Sequence, residues 1–195
     1  LLLVETAFDT LNAKAALFAI EELSEELGTD IPIMLSATIS KQSGRTISGQ
    51  SLEAFVTSVS HARLLSLGLN CSFGAENLLP YVAELGQISP FYISAHPNAG
   101  LPNAQGLYEG TPIIMGQQIA QYISRGLVNI IGGCCGTTPA HIAVYSKLVQ
   151  GAKPHEKAKI KTSDLALSGR EVLKLPSAQG ILEVINKPDE RSHRF

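Results

Sequence analysis

Five short apolar segments alternate with five longer segments of helical periodicity, and this alternation limits the folds open to the chain. The apolar segments cover residues 1–5, 31–36, 67–71, 91–95 and 127–131, and their starts are 30, 36, 24 and 36 residues apart. Between them, apolar residues recur every three or four positions over residues 12–27, 52–64, 76–85, 114–125 and 140–149. This spacing suits a strand, a crossover helix and two loops. We therefore predict five consecutive βα units in a parallel α/β sheet, either doubly wound or part of an eight-stranded barrel.

The composition supports a globular domain and argues against two classes of partner. Apolar residues make up 45% of the 195 residues, which is too much for a disordered chain. The 15 Lys and Arg against 17 Asp and Glu give a net charge of -2, whereas proteins that bind phosphate backbones usually carry a basic excess. No apolar run approaches the roughly 18–20 residues that span a bilayer. We expect neither a nucleic-acid partner nor a membrane partner.

The composition changes near Gly151, and this change divides the chain into two predicted parts. Residues 1–150 carry the βα pattern, whereas residues 151–195 lose the apolar periodicity and begin with a dense run of charged side chains. We expect the second part to be a linker toward a following domain or a partly ordered tail. Because Leu1 is preceded by no initiator Met and followed by no cleavage site, we predict a piece of a longer polypeptide and no signal peptide.

The three cysteines are the candidate metal ligands. The neighbours Cys134 and Cys135 cannot bridge without severe backbone strain, and an odd count is a poor disulfide framework. We therefore expect a reducing, cytoplasmic compartment, where clustered cysteines more often bind metal or do chemistry than form crosslinks. Cys71 ends the third predicted strand and the pair follows the fifth. All three thiols are thus predicted at the carboxyl ends of strands, which form the functional edge of parallel α/β folds.

Three thiolates at one edge of the sheet would leave a fourth zinc position open. That arrangement is typical of catalytic rather than structural zinc sites. Glycines on both sides of Cys134 and Cys135 let the backbone turn sharply, so that adjacent side chains can reach one ion. In the alternative interpretation the cysteines are small buried apolar residues and their clustering is accidental.

The sequence around these cysteines resembles a known family. The run GGCCGTTP at residues 132–139, with Asn70-Cys71-Ser72 upstream, is similar to the zinc signature of homocysteine S-methyltransferases. Further stretches resemble the homocysteine-binding module of cobalamin-dependent methionine synthases, namely ETAFDTLNAKAA at residues 5–16, SATIS at 36–40, GRT at 44–46 and PNAGLP at 97–102. The similarity runs from about residue 1 to residue 149 and includes all three cysteines in order.

The resemblance implies a fold, a metal and a reaction. The family's module is a (β/α)8 TIM barrel, so residues 1–150 would be its C-terminal part, truncated at the N-terminus. Zinc held by Cys71, Cys134 and Cys135 would activate the thiol of homocysteine, whose thiolate is the competent nucleophile. Methylcobalamin, carried on another domain of the same polypeptide, would supply the methyl group that yields methionine. The folate- and cobalamin-binding domains would be partners, and this piece alone would be nearly inactive.

The resemblance also implies substrate-binding residues. Glu5 would hold the ammonium group of homocysteine; in the other interpretation its carboxylate is favoured by the dipole of the following helix. Asn98 would lie beside the metal, where its amide oxygen could take the open position, or it would serve only its own turn. Ser36 and Thr38 would meet the substrate carboxylate, or would cap a loop.

Two other functions stay open from the sequence. One is a stand-alone homocysteine methyltransferase that takes its methyl group from betaine or S-methylmethionine, although residues 5–16 and the charged extension beyond Gly151 favour the larger enzyme. The other is a non-catalytic α/β domain with a structural or redox-active cysteine cluster. Residues 165–171 resemble the run into the folate-binding module, but residues 181–187 depart from it. We therefore predict no folate or cobalamin site within this chain.

Overall fold

A computed structural model describes residues 1–159 and 165–175 of the chain. Five parallel strands lie in sequence order, β1-β2-β3-β4-β5, and each is followed by a helix. The five units are β1 (Leu2–Ala7) with α1 (Thr10–Leu27), β2 (Ile33–Ala37) with α2 (Leu52–Val59), β3 (Leu64–Gly74) with α3 (Ala75–Ile88), β4 (Tyr92–Asn98) with α4 (Pro112–Ser124), and β5 (Ile130–Ile131) with α5 (Pro139–Leu148). The prediction of five βα units in a parallel sheet is confirmed.

The two faces of the sheet differ in chemistry. In register across β2, β3 and β4, Leu35, Leu67 and Ile93 are fully buried in the core that the helices share. Because side chains alternate along a strand, the next residues in each strand face the opposite way. Those residues are Ser36, Gly68 and Ser94. The apolar face therefore binds the helices, and the small polar face is left for the interior of the barrel.

Local sequence explains where the helices begin and end. The Asp9 carboxylate accepts hydrogen bonds from the backbone N–H groups of Leu11 and Asn12 and so starts α1. Gly28 and Gly126 follow α1 and α4 with positive φ angles of 62° and 59°, as expected of helix-ending glycines. Because Gly86 follows the helical pattern of residues 76–85, the sequence predicts the same role for it; this prediction is wrong, since Gly86 lies inside α3. A Cβ there would lie 3.0 Å from the ring of His155, so close packing explains this glycine.

The boundary between the second helix and the third strand also differs from the prediction. The helix was expected to reach residue 64, but α2 ends at Val59 and Leu64 already pairs with Ile33 in the sheet. The Ser60 hydroxyl donates to the Val56 carbonyl at 2.6 Å, next to the helix end. The strand β3 then runs past Cys71 to Gly74. Leu64 thus continues the apolar pattern as a strand residue, which periodicity alone does not distinguish from a helical one.

Part of the predicted linker folds back onto the barrel units. The antiparallel strands β6 (Leu165–Ser168) and β7 (Val172–Leu175) form a hairpin against α2. The Ser168 hydroxyl donates to the Ala54 carbonyl at 2.6 Å, and Arg45 forms an ion pair with Glu171 at 2.5 Å. The division at residue 150 stays a prediction, and residues 160–164 and 176–195, including the run at 181–187, lie outside the described residues. Within the described part of the chain, every helix is too short or too polar to cross a bilayer.

Candidate metal centre

The fold brings the three cysteines together at the carboxyl edge of the sheet. The sulfur of Cys135 lies 3.9 Å from those of both Cys71 and Cys134, and all three sulfurs lie within 4.8 Å of one another. In a tetrahedral zinc site, zinc–sulfur bonds of about 2.3 Å place the sulfurs about 3.8 Å apart. Free thiols at this spacing, from segments 63 residues apart in sequence, fit one metal ion. The predicted metal ligands are therefore brought together.

Backbone contacts hold the cysteine loop against the end of β4. The Cys134 N–H donates to the Pro97 carbonyl, and the Ala99 N–H donates to the Cys135 carbonyl, both at 2.9 Å. A Cβ on Gly133 would lie 2.2 Å from the Thr137 hydroxyl oxygen, so only glycine fits this close turn. The loop is fixed by β4, which explains how two adjacent cysteines can face a third on β3.

The thiols have different electrostatic surroundings. Burial raises the pKa of Cys71, but the Ser72 backbone N–H and the Asn98 side chain outweigh it, and the net pKa lies below the ordinary value. Burial raises the pKa of Cys134 to about 11, although donation from the Asn70 amide opposes this change. A bound cation would favour the thiolate at both positions. The donor set therefore suits a metal that binds sulfur strongly.

Asn98 lies beside the cysteines, as predicted. It is nearly buried, and its Nδ2 donates to the Cys71 sulfur at 3.8 Å. Its Oδ1 accepts the Cys135 N–H at 3.1 Å. The amide thus bridges the two cysteine segments, and direct metal contact by its oxygen stays a prediction.

The other predicted substrate residues occupy different environments. Glu5 is exposed near the end of β1, and its charge raises the pKa of His96 against the larger lowering caused by burial of the ring. Ser36 is fully buried inside β2 and donates to Asn70 Oδ1 at 2.8 Å. The Thr38 hydroxyl is 2.9 Å from the Ser72 hydroxyl, next to Cys71. Thr38 is thus close to Cys71, Glu5 is within electrostatic reach of His96, and Ser36 is engaged within the sheet; contact with substrate stays a prediction for all three.

Comparison with known proteins identifies the family. The model of the homocysteine S-methyltransferase domain matches residues 1–149 of the chain. The chain belongs to the homocysteine S-methyltransferase family. A crystal structure of the homocysteine methyltransferase MmuM from Escherichia coli, in its apo form, is similar in fold, with a TM-score of 0.53 and 23% sequence identity. The match covers 76% of this chain and 49% of MmuM, so the chain spans about half the length of that protein. The five units are accordingly part of a TIM barrel.

Two residues beside the cysteines, Asn70 and Tyr108, were not predicted from the sequence as site residues. Asn70 is buried directly before Cys71 and contacts Thr6, Ser36 and Cys134. Tyr108 lies over Gly136, where an added Cβ would be 2.4 Å from the ring, and hydrogen bonding to Cys135 raises the pKa of the phenol. Asn70 could have been found from its place beside a predicted ligand. Tyr108 lies in a long loop without a periodic pattern, so the sequence held no comparable signal.

The loop that carries Tyr108 is held at Gly110 by the end of β4 and by α5. The Gly110 N–H donates to the Ala99 carbonyl at 3.0 Å. His141 Nε2 lies 2.6 Å from the Gly110 carbonyl, while its Nδ1 accepts the Thr138 N–H at 3.1 Å. Its place within the helical pattern of residues 140–149 predicts that His141 is a surface or packing residue; the structure shows a buried packing residue that joins α5 to this loop.

A second hollow of the homocysteine S-methyltransferase domain lies at the opposite edge of the sheet. It runs between α1 and the turn before β3 and is lined by residues that include Phe18, Asp30 and Arg63. It is larger than the hollow beside Cys134. Because its lining contains no cysteine and lies away from the three thiols, size alone does not make it the site. The thiols and amides at the carboxyl edge define the candidate centre.

Proposed function

We propose that this chain holds the metal- and homocysteine-binding part of a methyltransferase that converts homocysteine to methionine. The three sulfurs within 4.8 Å of one another, in a chain of this family, carry the proposal. Cys71, Cys134 and Cys135 would hold zinc, and the fourth position would be free for another ligand. When bound, zinc would act as a Lewis acid that lowers the pKa of the substrate thiol.

The chain's own residues would bind and orient the substrate. The Glu5 carboxylate at the end of β1 is suited to an ammonium group, and the Thr38 hydroxyl at the end of β2 can donate to a carboxylate. The amides of Asn70 and Asn98 donate toward Cys134 and Cys71 and would keep these thiolates oriented. The thiol proton leaves first. The sulfur–carbon bond then forms as the bond between the methyl group and its donor breaks.

For the methyl donor we propose methylcobalamin on another domain, as in the cobalamin-dependent methionine synthases that residues 5–16 and 97–102 resemble. The folate- and cobalamin-binding domains of that polypeptide would be partners, and the free cysteines suit a reducing cytoplasm. A second candidate is a stand-alone homocysteine methyltransferase with S-methylmethionine or betaine as donor, because the barrel fold shared with MmuM is compatible with either domain organisation. Turnover of the complete natural polypeptide with methylcobalamin, S-methylmethionine or betaine as donor distinguishes these candidates.

X-ray absorption at the zinc edge tests the central proposal. We expect about one zinc per chain, with three sulfur neighbours in the absence of substrate and four after saturation with homocysteine. The same titration should release a proton, because a free thiol becomes a thiolate. Unchanged sulfur coordination at saturating homocysteine would show a structural metal and would favour the non-catalytic domain instead.

A further inference from the structure

Both the oxygen and the nitrogen of the Asn70 side-chain amide form hydrogen bonds. Asn70 lies on β3 directly before Cys71 and is 1% exposed. Its Oδ1 accepts hydrogen bonds from the Thr6 N–H at 3.1 Å and the Ser36 hydroxyl at 2.8 Å. Its Nδ2 donates to the Thr6 hydroxyl at 2.9 Å and to the Cys134 sulfur at 3.8 Å. One side chain thus joins β1, β2 and the cysteine loop.

The chemistry of the partners fixes which way this amide points. A backbone N–H can only donate, so the atom that faces the Thr6 N–H must be the amide oxygen. The amide nitrogen must then face Cys134 and the Thr6 hydroxyl. The donor toward the sulfur is therefore determined by the β-bulge at Glu5–Thr6 of β1, where the register with β2 shifts between Val4 and Ala7.

The backbone of this bulge is held in an uncommon conformation. Thr6 has a φ of 57°, and a β-branched residue rarely adopts positive φ. Such a conformation persists only where the surroundings enforce it. Two hydrogen bonds join Thr6 to the Asn70 side chain. Glu5, the proposed partner of the substrate's ammonium group, directly precedes Thr6 in the chain.

We propose that Asn70 is a positioning residue that couples the Glu5–Thr6 bulge to the metal ligand Cys134, so that one buried amide sets both substrate binding and thiolate orientation. The inference rests on the proposed function, because it needs Cys134 to bind metal and Glu5 to bind homocysteine. It assigns no direct contact with substrate to Asn70. The coupling runs through hydrogen bonds at both ends of the amide.

The change Asn70→Asp separates the two ends of the amide. A carboxylate keeps an oxygen for the Thr6 N–H and the Ser36 hydroxyl, but it replaces the donor toward Cys134 by an acceptor. Three thiolates and one Zn²⁺ already carry a net negative charge, so a further negative charge beside Cys134 is unfavourable. Loss of such an outer hydrogen bond typically costs about 10- to 100-fold in metal affinity.

Asn129 offers a matched control at the other edge of the sheet. Its Oδ1 accepts the Ile93 N–H at 2.8 Å, and its Nδ2 donates to the His155 carbonyl at 2.9 Å. Asn129→Asp removes a comparable donor directly before β5, away from the cysteines. Both variants would be made in the complete natural polypeptide, and zinc affinity, homocysteine affinity and the spectrum of the Co²⁺-substituted protein would be measured.

We expect Asn70→Asp to lower zinc affinity about 10- to 100-fold and to shift the sulfur-to-cobalt charge-transfer band. We also expect Asn70→Asp to lower the affinity for homocysteine, measured at saturating zinc. Glu5→Gln should then reduce homocysteine affinity by a smaller factor in the Asn70→Asp background than in the unaltered protein. Asn129→Asp should lower the unfolding midpoint and leave zinc, homocysteine and the cobalt spectrum unchanged. If the double variant loses homocysteine affinity by the product of the two single-variant factors, to within about twofold, the substitutions act independently and the coupling is overturned.

A second pair of variants guards against failure of Asn70→Asp to fold. Thr6 is exposed, so Thr6→Ala removes the hydroxyl partner of Asn70 without emptying a core position, and Thr6→Ser restores it. Weaker homocysteine binding in Thr6→Ala, recovered in Thr6→Ser, supports the inference; equal binding in both contradicts it. If the unaltered protein binds no zinc, the proposed function itself fails. A failure of the coupling alone is different, because it shows only as a difference between variants of a protein that binds zinc.

Discussion

The side chains of Asn70, at the carboxyl edge of the sheet, and Asn129, at the amino edge, form hydrogen bonds to very different partners, four for Asn70 and two for Asn129. Asn129 bonds only the backbone of Ile93 and His155, and thereby holds the segment after α5 beneath the sheet. Asn70 bonds the backbone of Thr6, two hydroxyls and a thiol. The amino edge uses polar side chains to fix the chain, whereas the carboxyl edge uses them to orient other side chains.

The backbone shows the same contrast. At the amino edge, left-handed residues that end helices are glycines, such as Gly28 and Gly126. Among the described residues, positive φ at non-glycine positions occurs at Thr6, Cys71 and Ser72, all at the carboxyl edge. Such conformations cost free energy, of order 1–3 kcal/mol each, and cluster at functional sites. The difference teaches that stability and chemistry are divided between the two edges, and each edge can be altered separately.

The largest expected effect is loss of metal at the carboxyl edge. Replacing Cys71, Cys134 or Cys135 by Ala should abolish tight zinc retention, because two thiolates cannot complete the site. Metal content of the purified protein after dialysis measures this. The exposed amino-edge variant His61→Ala serves as the control and should keep about one zinc per chain. Full zinc occupancy in a Cys134→Ala, Cys135→Ala double variant would refute the metal centre.

At the amino edge we expect a loss of stability without a loss of metal. The ring nitrogens of His155 lie 2.8 Å from the Gly126 carbonyl and 3.1 Å from the Gly86 carbonyl. His155→Ala should reduce the free energy of unfolding by about 2 kcal/mol, because it leaves these carbonyls without that partner. Thermal unfolding should show a Tm lower by roughly 4–8 °C. A fall in zinc content or in homocysteine affinity would break the division between the edges.

A smaller effect is expected at the end of β1. Glu5→Gln should weaken homocysteine binding by about 1 kcal/mol, roughly fivefold, because an exposed charged contact is screened by solvent. Zinc content should not change, since Glu5 is outside the cysteine cluster. Calorimetric titration of the zinc-loaded protein with homocysteine measures the change. Equal affinity of both proteins would remove Glu5 from the substrate site.

The smallest effect concerns the hairpin and depends on pH. Hydrogen bonding to Arg45 lowers the pKa of Glu171 below its ordinary value of 4.5. The pair therefore stabilises the fold at pH values above 4.5, and this contribution is lost as the pH falls through the lowered pKa. Urea midpoints of the unaltered protein and Glu171→Gln should differ slightly at neutral pH and converge in acid. In an Arg45→Ala background the difference between the two should shrink, because only the weaker interactions of Glu171 with Ser51 and Arg170 remain.

Sequence periodicity predicted the order and type of the five units because buried strands and amphipathic helices repeat apolar residues differently. It misplaced the junction near Leu64, where a leucine fits either pattern. It also assigned Gly86 to a helix end, although the reason for that glycine is the ring of His155, 69 residues away. Errors of this kind arise where a distant contact decides what a local pattern leaves open.

Distant contacts also limit what the sequence predicts about the candidate metal centre. The sequence by itself determined the three thiols, their place toward the carboxyl ends of β3 and β5, and the family, because these depend on residue type and order along the chain. Only the tertiary structure decided that Ser36 is engaged within the sheet, that Asn70 contacts both Thr6 and Cys134, and that Tyr108 lies over Gly136. These relations join residues up to 64 positions apart. Strand register and loop closure set them, and both depend on how the whole sheet curves and packs.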